Sequence, residues 1–273
     1  MLRTPTWVTG LALLLTLMAT TGAIGLTTAL TTPVPSTTDA ADVFRFGDLT
    51  PIADETLPEV QRYLARDGTP LAMRVYPSQS DRILIFVHGS SYHGAAYHPL
   101  AAHIRASGAA TVVLPNLRGH YLSGRDRGDV AYIGQLEDDL ADLIGELRHR
   151  RMDGEVTVAG HSSGGGFAIR FAGGPHGALA DRVAVLAPMI PYDPFIRGGD
   201  AGGWARADGP RFLGLVVLNL LGIDGLNGLP VIAFAKPHHL WDGTETLVYS
   251  YRLNASYHPR YAFADDLAAL PPG

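Results

Sequence analysis

The sequence predicts an α/β fold built on a mostly parallel sheet flanked by helices, and three observations predict it. Short apolar runs that do not alternate recur along the chain. Amphipathic helical patterns separate them, and one run feeds a serine between two glycines into a further helix. Strands buried on both faces have this unalternating character, and the order strand, helix, strand, helix implies right-handed crossovers.

The chain begins with a segment of another kind. Residues 7–30 carry no charge, with Arg3 and the amino terminus before them. That length can cross a hydrocarbon core as a helix with its positive end cytoplasmic. A signal peptide processed near residues 21–23 is the competing reading, and both readings export the rest of the chain. Residues 1–31 are therefore expected to be a signal anchor or signal peptide and 32–42, rich in Thr and Pro, a linker. Residues 43–273 form the main domain.

Within that domain, 62–66 and 69–76 flank Asp67-Gly68. An Asp-Gly pair tolerates the positive φ of a tight turn, so this is a β-hairpin. The apolar runs 83–87, 111–114, 156–159 and 183–187 are the buried strands. Helices are expected at 100–107 and 164–172. Another carries a stripe of Ile133, Leu136, Leu140, Leu143, Ile144 and Leu147, spaced by three and four. Beyond Pro191 the pattern changes: 197–210 is glycine-rich, and 212–234 is apolar but broken by glycines and Pro230. A cap over roughly 194–245, inserted after the strand near 183–187, accounts for this stretch. A helical segment over 258–270 closes the sequence.

Composition narrows the function. A hydrophobic fraction of 47% with 17% charged residues excludes wholesale disorder. A net charge of -5 without a basic cluster gives no footprint for nucleic acid. With no cysteine there is no disulfide, Cys-ligated metal or thiol nucleophile.

The chemistry is carried by Gly160-His161-Ser162-Ser163-Gly164, which follows a strand and opens a helix. A serine on a sharp strand-to-helix turn needs small neighbours so that its hydroxyl projects above the sheet edge. The helix beginning near Ser163 aims free N–H groups and its positive dipole end at the same spot, where an oxyanion would be stabilised. A second strand ends in His88-Gly89-Ser90-Ser91, which assigns the Ser90 N–H as a further oxyanion donor beside that of Ser163. A third stretch, Asn116-Leu117-Arg118-Gly119-His120, also follows a strand.

Strand-His-Gly, then Leu-Arg-Gly-His, then Gly-His-Ser-Ser-Gly resembles the α/β-hydrolase superfamily. The similarity is to the branch of monoacylglycerol lipases, lysophospholipases and serine aminopeptidase-like proteins, and it covers roughly 62–270. The resemblance implies Ser162 as nucleophile of a Ser–His–Asp triad, no metal or organic cofactor, a cap, and hydrolysis of carboxylic esters with lipid-like acyl groups. Acyl transfer to another acceptor uses the same elbow and stays open. So does a non-catalytic descendant that binds an apolar ligand or a partner.

In the family the acid and histidine follow the serine, after two further strands. Here Gly273 arrives where the first of those strands is expected, so the domain is expected to be C-terminally incomplete, with its last strands missing and an open sheet edge. Asp193, His238, His239 and His258 are weak substitutes. Asp193 reads as a turn residue and the histidines as surface residues. His88 and His120 read as loop-shaping residues, and His161, beside the nucleophile, points elsewhere.

Overall fold

The computed structural model describes residues 6–36, 57–190 and 204–270. A long N-terminal helix, α1 (Thr6–Thr31), precedes a six-stranded sheet of β1 (Gln61–Leu64), β2 (Pro70–Tyr76), β3 (Ile83–Val87), β4 (Thr111–Pro115), β5 (Val156–His161) and β6 (Arg182–Leu186). Their spatial order is β1-β2-β4-β3-β5-β6. β2 runs antiparallel to β1 and β4, whereas β4, β3, β5 and β6 are mutually parallel. The β1–β2 hairpin turns where the sequence places it, with Gly68 at φ 77°.

Three helices cover the sheet: α2 (His98–Ala106), α3 (Gln135–His149) and α4 (Ser163–Ala172). Alternate residues along each strand supply the two cores, as the two-residue period requires. Ile85, Val87, Val113 and Val158 face Leu136, Leu140, Leu143, Phe167 and Phe171, while Phe86, Val112, Leu114 and Ala159 face Ala101. The apolar stripe of α3 is sealed from Leu136 to Leu147, each at 2% exposure or less. Each such leucine contributes roughly 1.5–3 kcal/mol. Glu137 and Asp138 in its first turn and Arg148 and His149 in its last complement the helix dipole. Asp139 lies off the stripe yet is buried, because Arg118 grips it with two bonds of 2.7 and 2.8 Å.

Three features differ from expectation. β6 reads as a strand buried on both faces, but among the described residues it is an edge, with Leu186 51% exposed. The segment 258–270 is helical only over α7 (Phe263–Ala268), while α6 (Tyr251–Ser256) forms just before it. Ser250 caps α6 by accepting the Leu253 N–H, a start signal that lies upstream of His258-Pro259. The apolar stretch 212–234, expected as part of a cap, is not one continuous element. It divides into α5 (Gly209–Leu220) and β8 (Pro230–Phe234), and β8 pairs antiparallel with β7 (Ala205–Ala207) and β9 (Val248–Ser250) in a second sheet.

Candidate active site

β3 and β5 are parallel neighbours in register, with Val87 opposite Gly160. The two chains therefore leave the sheet side by side, one into His88-Gly89-Ser90 and the other into His161-Ser162-Ser163. Ser162 sits at φ 54°, ψ -122°, a conformation that costs a residue with a Cβ on the order of 1–3 kcal/mol. Backbone bonds hold it there: Ser162 N donates to Leu186 O at 3.0 Å, and Ser162 O accepts from Gly166 N at 3.1 Å and Met189 N at 2.9 Å.

The flanking glycines are required by contact. A Cβ on Gly160 would lie 2.3 Å from the carbonyl of Gly164, and one on Gly164 would lie 2.4 Å from the carbonyl oxygens of Val87 and His88. Both obstacles are backbone, so neither can move aside cheaply. The Ser162 side chain is partly exposed, and among the described residues nothing hydrogen-bonds its Oγ.

The amides around it are arranged with two taken and one left. Gly89 N donates to Tyr97 Oη at 3.1 Å, and Ser91 N donates to Tyr249 Oη at 2.6 Å. Each tyrosine then has its own O–H to give: Tyr97 to His161 Nδ1 at 2.9 Å, and Tyr249 to His120 Nε2 at 2.7 Å. Among the described residues the Ser90 N–H between them has no acceptor. The Ser163 N–H, at the first position of α4, has no intrahelical partner either. Ser90 and Ser163 are joined through their side chains, Oγ to Oγ at 2.5 Å. Two unpaired amides beside a partly exposed hydroxyl can stabilise negative charge on an oxygen bound there.

The histidines support this loop from beneath. His88 is fully buried; its Nε2 accepts the Leu117 N–H at 3.2 Å, so Nδ1 carries the proton. Tyr257 donates to the His88 carbonyl. Burial, and then the neighbouring His120, hold His88 well below the ordinary imidazole value, and burial puts His120 at about 4. Both are neutral framework groups, as loop-shaping residues should be. His161 turns away from Ser162 toward Tyr97, also shifted down by burial.

The remaining candidates are not gathered here. His239 is exposed on a short 3₁₀ turn beside His238, far along the chain excursion after β6. His258 is not a surface residue: it is buried, its Nδ1 has no partner, and burial lowers it to about 4. Neither bonds Ser162 Oγ. Asp193 lies outside the described residues. No cluster of His, Cys, Asp or Glu among the described residues could hold a metal ion. Cavities of about 320 Å³, beside Pro33 and Asp208, and about 270 Å³, beside Arg118 and Asp129, lie away from the elbow. Sequence reasoning missed Tyr97, Tyr249 and Tyr257, which no local motif marks.

Residues 78–217, just over half of the chain, match the family described as serine aminopeptidase, S33. The chain belongs to that family. Its fold is the α/β-hydrolase fold. Uncharacterized proteins of Mycobacterium tuberculosis and Mycobacterium bovis are each 29% identical to it over 125 residues, 46% of this chain and 34% of theirs. The chain thus spans about a third of the length of these curated relatives. Similar solved structures include a soluble variant of the monoglyceride lipase from Saccharomyces cerevisiae, with 19% identity, TM-score 0.49 and coverage of 76% of this chain and 69% of that one. The monoacylglycerol lipase of Paleococcus ferrophilus gives 19%, 0.45, 73% and 71%. The α/β-hydrolase GrgF from Penicillium sp. sh18 gives 21%, 0.44, 48% and 46%.

Proposed function

We propose that this hydrolase cleaves carboxylic esters, of lipid-like acyl groups, through an acyl-enzyme on Ser162. Ser162 Oγ attacks the carbonyl carbon, and the displaced π electrons settle on the carbonyl oxygen between Ser90 N–H and Ser163 N–H. Collapse expels the alcohol with the proton that left Ser162, and water then releases the acid. The observation that carries this reading is the strained, partly exposed Ser162 near two amides that have no acceptor among the described residues. The motif resemblance to monoacylglycerol lipases and the apolar 212–234 stretch support an acyl substrate.

The proton leaving Ser162 needs an acceptor, and among the described residues none bonds it. An oxyanion hole and binding without a base give roughly 10³–10⁴-fold over water, so slow acylation is the minimum expected of the residues in place. We assign α1 as a signal anchor holding the hydrolase domain outside the cytoplasm, with cleavage and release as the alternative; its 19-residue apolar stretch Leu13–Thr31 and Arg3 support this.

Intact-mass analysis after exposure to an alkyl fluorophosphonate tests the reading. One adduct on the native chain and none on Ser162→Ala is the expected result. Equal labelling of both would remove Ser162 as nucleophile. Absence of labelling together with saturable fatty-acid binding would favour the second reading, a non-catalytic protein for apolar ligands, for which the unpartnered Ser162 hydroxyl is the supporting observation.

A further inference from the structure

Helix α1 is not a free tether. Its C-terminal half packs against α5, and the pairing is antiparallel: Gly22 meets Leu221, Gly25 meets Gly214, Val217 and Leu218, and Ala29 meets Gly214. The backbones approach so closely that a Cβ on Gly214 would stand 2.2 Å from Thr28 Oγ1 and 2.7 Å from Gly25 O. Small residues at such a crossing are how apolar helices pack when side chains cannot separate them. Arg211 then fastens the end of α1. It is 4% exposed, and its guanidinium donates to Ala29 O at 3.0 Å, to Thr32 O, and to Pro230 O at 3.0 Å. Those on Ala29 and Thr32 are carbonyls that the helix terminus leaves without internal partners.

The outer surface of this hairpin is apolar on both helices. Leu13, Leu15 and Leu17 of α1 are more than half exposed, as are Leu213 and Leu220 of α5, seven residues apart on one face, with Leu220 at 81%. From Phe212 to Ile223 the sequence has no charge. Exposed leucines on an uncharged helix are costly in water. The length of α1 identifies what covers them: its 19-residue apolar stretch Leu13–Thr31 spans about 29 Å at 1.5 Å per residue, the thickness of a bilayer core of about 30 Å. That places the contact of Gly22 with Leu221 about 13 Å inside the hydrocarbon boundary and that of Ala29 with Gly214 about 3 Å inside it.

We infer that α5 is a second membrane-contacting helix, whose Leu213–Leu220 face and following Leu221–Ile223 tip lie among the lipid acyl chains beside α1. This rests on the assignment of α1 as a membrane anchor. It goes beyond that assignment because a tethered domain would otherwise keep α5 in water. The excursion after β6 would then be fixed to the lipid surface, and through Tyr249 and the Thr246 N–H to Ser91 O bond of 3.1 Å so would the loop that carries Ser90.

The absence of native cysteine allows single nitroxide labels on the full chain in phosphatidylcholine–phosphatidylglycerol nanodiscs. Labels at Leu15→Cys, Leu220→Cys and, as a water-facing reference, Leu64→Cys are compared by collision with oxygen, which partitions into lipid, and with a water-soluble nickel chelate. The expected result is several-fold preference for oxygen at 15 and 220 and the reverse at 64, with Gly214→Leu shifting only 220 toward water. A lipid-like 15 with a water-like 220 overturns the inference and leaves the anchor intact. Water-like behaviour at both overturns the anchor and the inference with it.

Discussion

Ser90 Oγ and Ser163 Oγ share a hydrogen bond of 2.5 Å that ties the loop after β3 to the first residue of α4. The two residues whose amides we propose as oxyanion donors are thus held to each other directly, rather than only through the sheet. Each single change, Ser90→Ala or Ser163→Ala, keeps the amide and removes the tie, so fluorophosphonate labelling should slow about 2- to 10-fold, the worth of one such bond. The double variant should be no slower than the slower single, a coupling that a double-mutant cycle measures. Additive losses would mean the bond does not organise the site.

The strain at Ser162 makes a stability prediction of unusual sign. Glycine normally costs stability relative to alanine, but at φ 54°, ψ -122° it alone is unstrained. Urea unfolding should find Ser162→Gly more stable than Ser162→Ala by about 1–2 kcal/mol. Equal midpoints, or a more stable alanine variant, would show that the elbow is relaxed.

Tyr249 reaches the loop after β3 from β9, more than 150 residues away in sequence. Tyr249→Phe leaves the Ser91 N–H without an acceptor and His120 Nε2 without a donor inside the core, a loss of about 1–3 kcal/mol. Hydrogen exchange at the Ser91 amide should accelerate while that in α3 follows only the global change. Unchanged exchange at Ser91 would place its protection elsewhere.

Acid should weaken the fold well above the carboxylate range. His120 and His258 titrate at about 4 in the folded chain because they are buried, and His88 lies well below its usual value for the same reason. In the unfolded chain these rings take up protons near pH 6.5. The unfolded state therefore binds more protons between about pH 6.5 and 4, and stability falls as pH drops through that window. The loss is on the order of 1–2 kcal/mol per ring at pH 5. Urea midpoints at pH 7 and pH 5 check this, and His120→Asn should flatten the dependence. Identical midpoints would contradict it.

Much of this was legible in the residues because it is encoded locally. The unalternating runs at Ile83–Val87 and around Val158 mark strands with cores on both faces, and Gly160 and Gly164 mark the elbow because a serine between two glycines follows a strand and opens a helix. What was not legible depends on distant partners. Nothing near Tyr249 or Tyr257 signals that their hydroxyls end under His88 and Ser91. His258 looks like a surface residue until Tyr257 is drawn into the core beside it. The packing of α1 on α5 is likewise invisible, since Gly25 and Gly214 acquire meaning only when they touch.

The most direct test is a crystal structure of the chain soaked with an alkyl boronic acid, which forms a tetrahedral adduct on an activated serine. The account predicts boron bonded to Ser162 Oγ, with one boron oxygen about 2.7–3.1 Å from both Ser90 N and Ser163 N. A free Ser162, or an adduct whose oxygens all turn away from those two amides, would contradict it.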